Sequence, residues 1–196
     1  MSVTKDFLTQ VHQLYQQLQK HDAQQTDRLL RYRSIEPESA HLLGMLIRAQ
    51  QAQKILEIGT SAGYSTLWLA EAAQSTAGRV TTIELDLERS LQARAYARQL
   101  QLDAYINFLT EDALIFLQQC SEQYDFILLD AERDAYTQYW PYLMQILKTK
   151  GGLLVVDNVL SHASDVEEFM HLVQENMQFT SVVLPVGAGL LLVTAH

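Results

Sequence analysis

A chain of 196 residues can bury a full core without disulfide or metal staples, and its one cysteine, Cys120, excludes an internal disulfide. A formal net charge of −9 argues against a nucleic-acid partner, because phosphates are held mainly by clustered Lys and Arg. Met1 to Phe7 carries no leader pattern, and no stretch approaches the roughly 20 consecutive apolar residues of a membrane span, so a cytoplasmic protein is expected.

Residues 4–31 are Gln-rich, with Val11, Leu14, Tyr15 and Leu18 spaced to form one apolar stripe on a helix. That stripe either covers the core or packs across a homodimer interface. Pro37 keeps Glu36 out of helical geometry and suits the first position of a helix running to about Ala52. Strand-like and helix-like segments then alternate. Strands are expected at residues 54–59, 79–85, 105–109, 124–130, 153–157, 179–184 and 190–194. The helices between them are expected through Trp68 and Ala73, then at 87–100, 112–120, 136–147 and 166–176. This alternation implies an α/β fold with a parallel sheet covered on both faces. Too few residues separate the last two strands for a crossover helix, so they should pair antiparallel. With no linker or repeat, 1–196 reads as a single domain, with a helical extension at 1–33 and a core at 34–196.

In such sheets ligands bind beyond the carboxyl ends of the strands. Glu57, Gly59, Glu84, Asp130 and Asp157 all fall at or near those ends. Gly59 and Gly63 permit a tight turn and close approach of backbone to a ligand. Their spacing differs from the Gly-x-Gly-x-x-Gly of dinucleotide enzymes. Glu84, 25 residues after Gly59, can accept hydrogen bonds from two ribose hydroxyls, or can be a solvated strand-end charge. Asp130, Asp157 and Asn158 offer oxygen ligands only, which suit Mg²⁺, Mn²⁺ or Ca²⁺. Singly, each could equally cap a helix or a turn.

Leu56-Glu57-Ile58-Gly59-Thr60-Ser61-Ala62-Gly63-Tyr64-Ser65-Thr66, Thr82-Ile83-Glu84, Leu129-Asp130-Ala131 and Val156-Asp157-Asn158-Val159 together resemble the cation-dependent O-methyltransferase family of catechol and caffeoyl-coenzyme A enzymes, in its bacterial type. The resemblance spans about residues 34–194. It implies a Rossmann-like, doubly wound, seven-stranded sheet with its last strand antiparallel, S-adenosylmethionine as cofactor and a small hydroxylated aromatic acceptor. By that resemblance Glu57, Gly59, Ser61, Gly63, Tyr64 and Ser65 surround the methionine portion of the cofactor, with Ile35 on its N-terminal side. Glu84 and Leu85 take the ribose, and Asp112 with Ala113 borders the adenine. Asp130, Asp157 and Asn158 hold the metal, Asp130 also lying near the cofactor's amino group. Relatives of this kind are commonly dimeric.

Two departures from the family pattern stand out. A lysine proposed as general base in relatives is replaced by Arg133, and arginine stays protonated at any working pH. Deprotonation is therefore expected to rest on the metal, with His162 as a possible aid or else a plain loop histidine. Ala188 stands where plant relatives often carry an acid, so the acceptor end of the pocket should differ. Tyr136, Tyr139 and Trp140 are candidates to line an acceptor's path, or are core. A cluster of Arg28, Arg31, Arg33 and Arg48 would reopen methylation of a hydroxylated tRNA base. A non-catalytic cofactor-binding dimer is the reading from another class.

Overall fold

The computed structural model describes residues 4–196; Met1, Ser2 and Val3, part of the stretch read for a leader, lie outside the described residues. Thr4 caps helix α1 (Lys5–Gln24), its hydroxyl accepting from the Phe7 amide at 3.1 Å. The buried stripe of α1 is Phe7, Val11, Leu14 and Leu18, packed into the chain's own core. Tyr15 is only partly buried and meets the Tyr64 ring at 5.0 Å. Val11, Leu14 and Leu18 of the expected stripe are therefore used within the chain's own core.

The first helix ends short of residue 31. Asp22 draws the following chain back, its carboxylate accepting from the Tyr32 and Arg33 amides at 2.8 Å each, and Arg28–Leu30 forms a separate 3₁₀ turn capped by Asp27. Pro37 opens α2 (Pro37–Gln50), as its fixed φ suggests. The alternating elements follow: β1 (Lys54–Ile58), α3 (Tyr64–Ser75), β2 (Arg79–Glu84), α4 (Leu87–Gln99), β3 (Ile106–Thr110), α5 (Ala113–Gln119), β4 (Phe126–Leu129), α6 (Tyr136–Ile146), β5 (Leu153–Val156), α7 (Ala163–Glu175), β6 (Phe179–Leu184) and β7 (Leu190–Ala195). β3 starts one residue late because Asp103–Tyr105 makes a 3₁₀ turn. β4 is shorter than expected: Tyr124 forms only an isolated bridge to Leu147, and Asp130 already lies beyond the strand.

The seven strands run in the order β3-β2-β1-β4-β5-β7-β6. β1 to β5 are parallel, and β7 is antiparallel to both β5 and β6, as the short final connection requires. Side chains of α1 to α4 pack on one face with Ile55, Val80 and Phe126; those of α5 to α7 pack on the other with Leu56, Ile58 and Ile127. Burial on both faces explains why the central strands read as continuous apolar runs rather than alternating ones. The alternation of Ile55 and Leu56 also dictates that Glu57 points toward α3.

Candidate active site

Strand order reverses between β1 and β4, and the connections leaving their carboxyl ends diverge there. A cavity of about 620 Å³ opens at that point. Gly59 follows β1 with φ +100°, and a Cβ in its place would collide with the Asp130 carbonyl. This close approach brings the loop after β1 against the loop after β4. Gly63, at φ +87°, starts α3 with Ala93 so near that a Cβ would stand 2.7 Å from the Ala93 methyl. Ser61 between them donates its amide to Glu84 Oε2 at 2.7 Å, while Glu84 Oε1 accepts from the Asp86 amide at 3.0 Å. Glu84 is thus no loose strand-end charge. It fixes the loop and still presents carboxylate lone pairs to the cavity wall.

Of the residues expected around a cofactor, Ile35, Gly59, Ser61, Tyr64 and Ser65 line the cavity. Glu84, Leu85, Asp112, Ala113 and Asp130 line it as well. Asp112 also caps α5, accepting from the Leu114 amide at 2.7 Å. Glu57 and Gly63 are not among the lining residues. Glu57 is fully buried behind the wall and accepts from Ser65 Oγ at 2.5 Å, from Thr82 Oγ1 at 2.6 Å and from Thr66. Burial pushes its carboxyl up to about 7, and the three hydroxyl donors pull against that rise. Since the Ser65 proton is already given to Glu57, Ser65 faces the cavity mainly as an acceptor. Glu57 thereby fixes the Ser65 side chain at the cavity wall.

At the other end, the Asp130 amide bonds to the Ile58 carbonyl at 2.9 Å and the Asp157 amide to the Leu129 carbonyl at 3.1 Å. These extensions of the ladder set the two carboxylates side by side. Asn158, at φ +67°, directs its amide nitrogen to Asp130 Oδ1 at 3.1 Å and Asp157 Oδ2 at 3.0 Å. Asp157 is 1% exposed, and its Oδ1 is buried without a hydrogen-bond partner. Burial raises the pKa of both acids; Glu57 raises Asp130 further, and Asp130 raises Asp157. Among the described residues no group of three or more His, Cys, Asp or Glu is placed to hold a metal. The candidate set is two carboxylates and an amide. Its donor chemistry fits a hard divalent cation, and the orphaned Oδ1 of Asp157 is an acceptor lacking a positive partner. Ligation by Asn158 would require its amide to turn, exchanging nitrogen for oxygen. Asp130 and Asn158 line the cavity, whereas Asp157 stands just behind them.

Arg133 and His162 both line the cavity. Arg133 is 8% exposed and donates Nε to Asp165 Oδ2 at 3.1 Å. His162 pairs Nδ1 with Ser161 Oγ at 2.9 Å. Partial burial and then the Arg133 charge lower its pKa, favouring neutral imidazole. Of the three aromatic candidates only Tyr139 reaches the cavity. Tyr136 is fully buried with its hydroxyl on the Ala131 carbonyl at 3.2 Å, and Trp140 packs against Phe169 and Phe179.

Sequence reasoning missed the lid of the cavity. Residues 28–35 cross over the glycine loop, with the Tyr32 carbonyl accepting from Ser61 Oγ at 2.7 Å and Arg33 pairing with Glu132. Arg89 of α4 reaches the Leu29 and Arg31 carbonyls. A proposed boundary at residue 33 would cut through this wall. Such a segment has no periodicity; its signal was the run of arginines at 28, 31 and 33. Arg48 is not part of that cluster, being paired with Glu71 between α2 and α3.

The profile of the O-methyltransferase family matches residues 5–195. A catechol O-methyltransferase of Niastella koreensis is 33% identical over 139 residues, covering 69% of this chain and 62% of that protein. A caffeoyl-CoA O-methyltransferase of Populus kitakamiensis is 27% identical, covering 77% of this chain and 66% of that one. The chain thus spans somewhat under two thirds of the length of these relatives. Among solved structures, the O-methyltransferase from Bacillus cereus in complex with SAH superposes with a TM-score of 0.79 at 24% identity, covering 100% of this chain and 93% of that chain. At that identity the likeness shows the fold alone.

Proposed function

This chain belongs to the O-methyltransferase family, and on that premise we propose that it moves a methyl group from S-adenosylmethionine to a hydroxyl of a small catechol-like aromatic, with a divalent cation at Asp130, Asp157 and Asn158. The observation that carries the reading is the cavity itself. It joins a loop-and-carboxylate end at Gly59, Ser61 and Glu84 to a buried two-carboxylate end at Asp130 and Asp157. Glu84 would take the ribose hydroxyls, and Asp112 and Ala113 would flank the base. Asp130 serves both ends, near the cofactor's ammonium and among the ligands of Mg²⁺ or a similar ion.

Bound in this site, a divalent cation would lower the pKa of an acceptor hydroxyl. His162 takes the proton: its lowered pKa keeps the imidazole neutral, and in the tautomer whose Nδ1–H donates to Ser161 Oγ the Nε2 lone pair is free to accept. The acceptor oxygen then forms its bond to the methyl carbon as the carbon–sulfur bond breaks, giving S-adenosylhomocysteine. Arg133 stays charged throughout and holds the acceptor by hydrogen bonding rather than taking its proton. The lid at residues 28–35 excludes water and keeps the reactants aligned, from which much of the rate in such transfers derives. Arg28, Arg31 and Arg33 do lie together at the cavity, Arg28 and Arg31 exposed, and methylation of a hydroxylated tRNA base is the second reading, against which the net charge of −9 weighs.

The test is transfer of labelled methyl from S-adenosylmethionine to a panel of catechols with Mg²⁺ and then with excess EDTA. Transfer that stops with EDTA and returns on adding Mg²⁺ supports the proposal. Transfer indifferent to chelator contradicts the metal, and none to any catechol contradicts the acceptor class.

A further inference from the structure

Beside the carboxylate end lies a second cavity of about 420 Å³. Arg28, Arg33, Glu132 and Arg133 line both cavities, so the two adjoin through these side chains. Three guanidiniums, of Arg28, Arg33 and Arg133, and three carboxylates, of Glu132, Asp134 and Asp165, line this second cavity, so its charges balance and what distinguishes it is the donors left free. The guanidinium donors are only partly used. Arg133 commits Nε to Asp165, and no hydrogen bond engages the rest of its fork. Arg33 gives its terminal nitrogens to Glu132, while its Nε is buried without a partner. Arg28 is exposed and, among the described residues, makes no ion pair or side-chain hydrogen bond.

We propose that this chamber binds a carboxylate carried on the acceptor, so that the preferred substrate is a catechol-type acid rather than a neutral catechol. The inference rests on the function proposed above, since it takes the reacting hydroxyls to lie at Asp130 and Asn158 and the rest of the acceptor to extend past Arg133. Guanidinium forks match carboxylates in geometry, and charge-assisted bonds of this kind are the strong ones. Glu132, Asp134 and Asp165 share the chamber and limit the charge it accepts. Arg33 and Arg133 are paired with Glu132 and Asp165, so the donors left for a carboxylate are Arg28 and the terminal nitrogens of Arg133, with Asp134 the acid left beside them; a doubly charged phosphate would be opposed more strongly by that acid.

The test is calorimetric titration of 3,4-dihydroxybenzoate and of its methyl ester into the protein with S-adenosylhomocysteine and Mg²⁺, in wild type, Arg28→Gln and Arg28→Lys. The acid is expected to bind about tenfold more tightly than the ester. That preference should fall to about threefold or less in Arg28→Gln, persist in Arg28→Lys, and shrink as salt rises from roughly 0.05 to 0.5 M. Acid and ester behaving alike in wild type would overturn the proposal, as would a preference untouched by Arg28→Gln. The readout needs no turnover. A tenfold preference without methyl transfer would remove the function proposed above and leave the subsite, and brisk transfer without the preference would do the reverse.

Discussion

The two ends of the cavity are built on opposite electrostatic plans. At the glycine-loop end the carboxylates of Glu57, Glu84 and Asp112 have their donors: Glu57 holds three hydroxyls, Glu84 two backbone amides and Asp112 the first amides of α5. At the other end Asp130 and Asp157 share the single amide of Asn158, and one buried oxygen has no partner. An end whose groups are satisfied by the fold can receive a ligand without rearranging. An end with two adjacent buried acids and one donor favours proton uptake or a cation, because like charges so close resist joint ionisation. The contrast fits the proposed division of the cavity into a cofactor end and a cation end.

The sharpest way to break this contrast is Asp157→Ala. Methyl transfer is expected to fall on the order of 10³-fold, while S-adenosylhomocysteine affinity, read by calorimetry, changes little. A parallel loss of both would mean that the ends are not separable. Gly59→Ala attacks the joint between them, since a methyl there meets the Asp130 carbonyl at a φ that L residues rarely adopt. A loss of about 2–4 kcal/mol in chemical denaturation is expected, together with weakened cofactor and metal binding. Unchanged stability would show that the loop approach is not obligatory. Glu84→Ala acts at one end only, and S-adenosylhomocysteine should bind roughly 10- to 100-fold more weakly with the metal site intact.

The smallest effect is a pH dependence at Glu57. Its folded pKa of about 7 lies above the ordinary 4.5, so the fold favours the protonated acid. Its contribution to stability is complete below about 4.5 and is lost as pH rises through 7. Between pH 5 and 8 wild type should therefore lose about 1–3 kcal/mol more stability than Glu57→Gln in urea titrations. Identical slopes would show that the buried hydroxyl donors cancel the cost of burying the charge.

The preformed end was the more legible in the sequence. Gly59, Gly63 and Glu84 lie in one contiguous βαβ unit, where local spacing maps directly onto space. The parallel sheet and its antiparallel last strand followed from element alternation and connection length, whereas the strand order did not. The burial of Glu57 was less legible, because a strand-end acid looks the same in sequence whether it faces the cavity or the helix behind it; only the side-chain alternation with Ile55 decides. The lid was hidden for a different reason. Its course depends on Asp22 capturing two amides some ten residues later and on Arg33 reaching Glu132, contacts that no local period encodes. Arg48 resembled its neighbours in sequence but is paired within the core layer.

The most direct test of the contrast is Mn²⁺ binding followed by electron paramagnetic resonance, in wild type, Asp130→Ala and Glu84→Ala. The account expects one ion bound by wild type and by Glu84→Ala, and its loss in Asp130→Ala with the fold retained by circular dichroism. No bound ion in wild type, or binding indifferent to Asp130, would contradict it.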